Sequence, residues 1–133
     1  MAVTPSEFIA EAQRLLDQDV ASEITHRTAV GRAYYGAYHC ALNYADTLLV
    51  PPLSACAGGS HKKVSDYYRV GLAKTREDTV KFRKIGFNLL QMHAQRVRAD
   101  YRLDEVVHVQ DAESILQISR ATVDSLETLG AAV

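Results

Sequence analysis

The chain has 133 residues, 47% of them hydrophobic and 23% charged, which fits one globular domain over residues 1–133 and excludes disorder. No window approaches the roughly 18 consecutive apolar residues of a membrane span, and the N-terminus lacks the basic start and apolar run of a signal peptide, so a soluble, cytoplasmic chain with no membrane partner is expected. The net charge of −1 hides an asymmetry: between His61 and Arg102 eleven Lys or Arg stand against four Asp or Glu, and the remainder has four basic and twelve acidic residues.

Thr4-Pro5-Ser6-Glu7 reads as the start of a first helix, with Thr4 as cap, Pro5 at the first helical position and Glu7 completing a capping box. Phe8, Ile9, Ala12, Leu15 and Leu16 supply its apolar stripe. An acidic link, Asp17 to Glu23, leads to a longer second helix capped by Thr25 and running to about Leu48. Its buried face is expected to be Val30, Tyr34, Ala37, Tyr38, Ala41, Ala45 and Leu48, with Tyr35 and Leu42 on a flank. Small residues alternating with tyrosines let a neighbouring helix approach while the rings fill the space beside it. Pro51-Pro52 stops this helix, and residues 51–60 form the longest loop. A third helix starts near Ser60 and carries Val64, Tyr67, Tyr68 and Leu72. Thr75 caps a fourth, marked by Val80, Phe82, Ile85, Leu89 and Met92 and reaching roughly Tyr101; Gly86 weakens it without ending it. An irregular link, Arg102 to Gln110, precedes a last helix begun by Asp111, with Ile115, Ile118, Thr122, Leu126 and Leu129 inward. Only Val106–Val109 resembles a strand, and it is short. The pattern predicts an all-α fold, an antiparallel bundle of four or five helices.

Two segments carry a family resemblance. Arg32-Ala33-Tyr34-Tyr35-Gly36-Ala37-Tyr38-His39 looks like the RAYYAxFH helix of small prokaryotic HEPN proteins (higher eukaryotes and prokaryotes nucleotide-binding domains). Arg96-Val97-Arg98-Ala99-Asp100-Tyr101 resembles their RxxADY segment, which closes a long helix before a link and a final helix. Order, spacing, length and helical content agree over nearly the whole chain. The resemblance implies a homodimer that acts on RNA, as a metal-independent endoribonuclease toxin paired with a nucleotidyltransferase antitoxin or as part of a defence system. In active relatives an arginine and a histidine four to six residues apart meet their dimer mates in a cleft; relatives without the histidine serve as nucleotide- or protein-binding modules. Here Asp100 stands about where active members place histidine, and a carboxylate beside Arg96 and Arg98 is held ionised, which suits a structural pair better than a base.

The residues placed to do chemistry are therefore Arg96, Arg102 and His108, the last two six residues apart in the link after the long helix. Arg98, Asp100 and Tyr101 are the expected substrate contacts, and Tyr101 is a candidate acceptor of a nucleotidyl group. Arg32 and His39, seven apart on one helix face, read as a salt-bridged arginine and a packed histidine. The basic segment 61–102 suits a polyanion; its alternative is a solvated surface balanced by acidic neighbours. Tyr34, Tyr38 and Tyr67 follow helical spacing and are read as core. Cys40 and Cys56 lack metal or redox spacing and fit free thiols. No two histidines are spaced i, i+4, so no metal site and no cofactor is expected, and Gly58-Gly59-Ser60-His61-Lys62-Lys63 lacks the strand and spacing of a phosphate loop.

Overall fold

The computed structural model describes residues 2–131, which form α1 (Pro5–Leu16), α2 (Glu23–Leu48), a 3-10 turn (Leu53–Ala55), α3 (Ser60–Val70), α4 (Arg76–Tyr101) and α5 (Val109–Ala131). Among the described residues there is no strand, so Val106–Val109 pairs with nothing. No described helix is long and apolar enough to cross a membrane.

Two helix starts match the cap chemistry in the sequence. The Glu7 carboxylate accepts the Thr4 N–H at 2.5 Å, and Thr75 Oγ1 accepts the Asp78 N–H at 3.1 Å. Two others begin earlier than expected. α2 starts at Glu23 behind Ser22, not behind Thr25. α5 starts at Val109: Asp111 is already inside its first turn, where its carboxylate accepts the His108 N–H at 2.9 Å, the return half of a capping box. The irregular link is thus residues 102–108.

α2 touches all four other helices. Ala29, Ala33, Ala37, Ala41 and Ala45 are buried on it together with Val30, Tyr34 and Tyr38. A Cβ on Gly36 would lie 2.6 Å from Ile9 Cγ1, so the glycine is what allows α1 to lie close. Contacts fix the helix directions. Arg27 meets Ala99, Tyr34 meets His93 and Tyr44 meets Phe82, so α4 runs against α2. Tyr34 meets His61 and Ala41 meets Tyr68, so α3 runs with it. Ser119 reaches Ala33, and Gly130 lies beside Tyr44, so α5 also runs with it. The expectation of a wholly antiparallel bundle is corrected: residues 49–59 carry the chain back along α2 before α3 begins.

Three residues expected in the core are not there: Leu48 is 46%, Leu72 81% and Val80 63% exposed. α3 ends at Val70, which leaves Leu72 in a link, and with Leu48 it lines an open groove of about 330 Å³. Val80 sits two residues before Phe82, on the side of α4 opposite the buried Phe82, Ile85, Leu89 and Met92. Tyr67, read as core, is only half-buried.

The C-terminal end of α4 is held by a residue that hydrophobic periodicity does not reveal. Arg27 on α2 is buried, at 6% exposure. Its guanidinium donates to the carbonyls of Ala99 (2.9 Å), Arg102 (3.1 Å) and Glu105, and to Glu23 Oε1 at 2.8 Å. The last carbonyls of a helix have no partner within it and carry the negative end of its dipole, so a buried cation there is satisfied by geometry and charge together. The Val107 N–H completes the corner by donating to Glu23 Oε1 at 3.2 Å.

Candidate functional site

The structure brings the two sequence segments together. Tyr35, half-buried on α2, has a guanidinium against its ring from each side of the sequence: Arg96 from α4, with Cζ 5.4 Å from the ring centroid, and Arg32 from α2 at 5.9 Å. Arg32 also lies over Phe8 at 5.3 Å and forms no ion pair among the described residues, so the salt bridge expected for it is replaced by stacking. Arg96 packs against Tyr101 as well, at 6.0 Å.

Beside Arg96 stand two histidines that sequence reasoning did not single out. His61, in the first turn of α3, and His93, one turn before Arg96 on α4, stack with ring centroids 4.6 Å apart and planes inclined by 30°. Tyr34, buried beneath them, shares a hydrogen bond of 2.6 Å with His61 Nδ1. Tyr38 lies 5.2 Å from His61, ring to ring, and stands edge-on to His39 at 5.1 Å. Small groups make this approach feasible. A Cβ on Gly86 would lie 2.8 Å from the Arg69 backbone nitrogen and 3.0 Å from the Ser65 carbonyl oxygen, so α3 and α4 can lie this close only with glycine there.

The electrostatics follow from that crowding. Burial lowers the basicity of His61, and the neighbouring His93 and Arg96 lower it further. Burial and then Arg96 do the same to His93, and burial and Arg32 to His39. The cluster therefore holds neutral imidazoles at neutral pH, able to accept protons. Burial raises the Tyr34 phenol well above its ordinary range, so it stays a hydroxyl. The pair borders a cleft of about 270 Å³ whose rim carries Lys62, Asp66, Arg69 and Leu90.

Arg96 has a near neighbour, Asp100, whose Oδ2 is 2.9 Å from its Nε. That N–H is nevertheless left without an aligned acceptor, so the contact is an ion pair and not a directed hydrogen bond. The terminal nitrogens of Arg96 make no hydrogen bond within the described residues and keep the planar fork that matches a phosphate.

The other expected residues separate into different roles. Arg98 turns into the link, donating to Glu105 Oε1 at 3.1 Å and the Val106 carbonyl at 2.7 Å; it holds the corner and does not face the histidines. Asp100 is the counterion of Arg96. Tyr101 is 69% exposed at the edge of the cluster. Arg102 and His108 are exposed. The Arg102 carbonyl serves Arg27, and the His108 backbone serves the α5 cap; no contact joins either side chain to Arg96. No described group of three or more His, Cys, Asp or Glu is placed to hold a metal ion. Cys40 and Cys56 are free thiols.

The missed pair had a local signal. His93 and Arg96 are three apart on one helix and so share a face. His61 had none, because its place depends on the reversal of the 49–59 segment. No protein-family model, curated protein or solved structure matches this chain, so the chemistry of the cluster carries the functional reading.

Proposed function

We propose that this is a HEPN-type protein that acts on RNA as a metal-independent endoribonuclease, in the cytoplasm and as a homodimer. The observation that carries the reading is Arg96: a guanidinium laid against Tyr35 and Tyr101, its terminal nitrogens unbonded, one turn from a stacked histidine pair. Arginine in that setting grips a phosphate bidentately, exposed aromatic rings stack on unpaired bases, and neutral imidazoles move protons near neutral pH. The basic balance of residues 61–102 adds the long-range attraction a polyanion needs. Cleavage by attack of the ribose 2′-hydroxyl leaves a 2′,3′-cyclic phosphate and a 5′-hydroxyl.

The homodimer is supported by the outer face of α4. Val80 and Phe87 are seven apart and are 63% and 64% exposed, with Leu90 beside them; an apolar seam at that spacing suits a second helix of the same kind. Tyr101, exposed at the edge of the cluster, is available for modification by a nucleotidyltransferase antitoxin. The second reading, a nucleotide- or protein-binding module without catalysis, is favoured by Asp100, which offsets part of the Arg96 charge.

Incubation of purified protein with end-labelled RNA in EDTA separates the two. The proposal expects cleavage with cyclic-phosphate ends that is lost in Arg96→Ala and kept in His108→Ala. Loss in His108→Ala with activity kept in Arg96→Ala moves the reaction to the link. RNA left intact but retained by the wild type in a filter-binding measurement favours the binding module instead.

A further inference from the structure

We propose that His61 and His93 are the proton-transfer pair of this site, with His93 as the base that takes the 2′-hydroxyl proton and His61 as the acid that protonates the leaving 5′-oxygen of an RNA phosphodiester. The inference rests on the ribonuclease reading above and names the two residues that perform it.

The geometry sets the roles. Stacked rings 4.6 Å apart cannot comfortably hold two positive charges, with Arg96 beside both; they hold one proton between them over an interval of pH, and one base plus one acid is what this reaction requires. Tyr34 breaks the symmetry. The 2.6 Å bond between its hydroxyl and Nδ1 can run in either direction: in the ring cation Nδ1–H donates to the phenol oxygen, and it still can once the other proton, on Nε2, has left. The proton His61 gives up is therefore the one on Nε2. His93 makes no hydrogen bond within the described residues and is free to accept.

The surroundings leave the pair its own titration. α2 presents the rings of Tyr34, Tyr35 and Tyr38 to it, with the Tyr34 hydroxyl bonded to His61. On α3, Lys62 and Arg69 are both tied to Asp66, at 2.6 and 3.1 Å, and α4 adds Arg96. Among the described residues no carboxylate other than Asp66 lines the cleft, and that one is already shared by two cations.

The step balances without a co-reactant. His93 removes the 2′-hydroxyl proton as O2′ bonds to phosphorus. The P–O5′ bond breaks with its electron pair on O5′, and that oxygen takes the proton of His61. Arg96 carries the charge on the non-bridging oxygens. The pair ends with its proton on His93 in place of His61 and resets by exchange with water.

The test is single-turnover cleavage of end-labelled RNA between about pH 5 and 9, where acid–base pairs give bell-shaped profiles, by wild type, His61→Gln and His93→Gln, with circular dichroism confirming the fold. The wild type is expected to give the bell, and each variant to lose about a hundredfold or more together with one limb of it, while RNA binding is kept. A substrate with sulfur in place of O5′, whose thiolate leaves without a proton, is expected to restore His61→Gln and not His93→Gln. Should either glutamine variant fold poorly, His93→Ala with added imidazole decides, and rescue is expected. Cleavage by the wild type that both variants retain overturns the pair and leaves the ribonuclease reading intact; no cleavage by the wild type overturns that reading and the pair with it.

Discussion

Replacing Arg27 by methionine keeps most of the side-chain volume and removes the guanidinium that ties α2 to the end of α4. Four carbonyls, those of Arg98, Ala99, Arg102 and Glu105, then lose a charged donor. Hydrogen bonds to a charged group contribute about 1.5–3 kcal/mol each, and removing one partner of a buried polar network costs about 3–5 kcal/mol. Water can reach the exposed link and the half-exposed Glu23, at 43% side-chain exposure, so the lower end applies, about 3 kcal/mol. For a domain of this size that is roughly 10 °C in Tm. Urea denaturation gives the free energy, and hydrogen exchange shows where it is lost: the amides of residues 102–108, Val107 above all, should exchange faster, while those of α1 should not. Arg27→Lys should recover only part of the loss, because the three donors of one ammonium cannot replace a five-donor fork that serves these carbonyls and Glu23 together. A methionine variant within about 1 kcal/mol of wild type, with unchanged exchange in the link, refutes the clamp.

Gly86→Ala puts a methyl group against the Arg69 backbone; a loss of about 1–3 kcal/mol by urea denaturation is expected, with faster exchange in α3. Acid should destabilise the fold through His39, His61 and His93, all held below their ordinary value of 6.5. Above that value they are neutral folded or unfolded; as pH falls below it the unfolded chain takes up protons first, so stability drops between about pH 7 and 5, and calorimetry should find a shallower drop in a His61→Gln/His93→Gln double variant. Equal slopes for the two proteins contradict the assignment. Phe87→Glu, on the outer face of α4, should halve the mass seen by light scattering without altering helicity if that face holds a second copy; an unchanged mass places the interface elsewhere.

Helix existence was readable because local chemistry sets it. The Thr4 and Thr75 caps, each within one turn, and the stripe Phe82, Ile85, Leu89 and Met92, within about three turns, needed no tertiary information. Leu48, Leu72 and Val80 misled because periodicity says which residues share a face, not whether a neighbour covers it. The start of α5 moved because Asp111 caps from inside the first turn. For the site, the tyrosine-rich helix and Arg96 were legible, and so was the structural character of Asp100. Arg27 was not, since a buried arginine is recognisable only once its carbonyl acceptors, more than 70 positions away in sequence, are in place. His61 was hidden for the same reason.

The measurement that bears most directly on the account is a nuclear magnetic resonance titration of the labelled protein with a short single-stranded RNA, following backbone amides and histidine ring nitrogens together. The account predicts that the largest shifts fall on Tyr35, His61, His93 and Arg96 and weaken as salt is added. Shifts confined to the groove lined by Leu48 and Leu72 or to the His108 link, with the histidine rings unmoved at saturating RNA, contradict it.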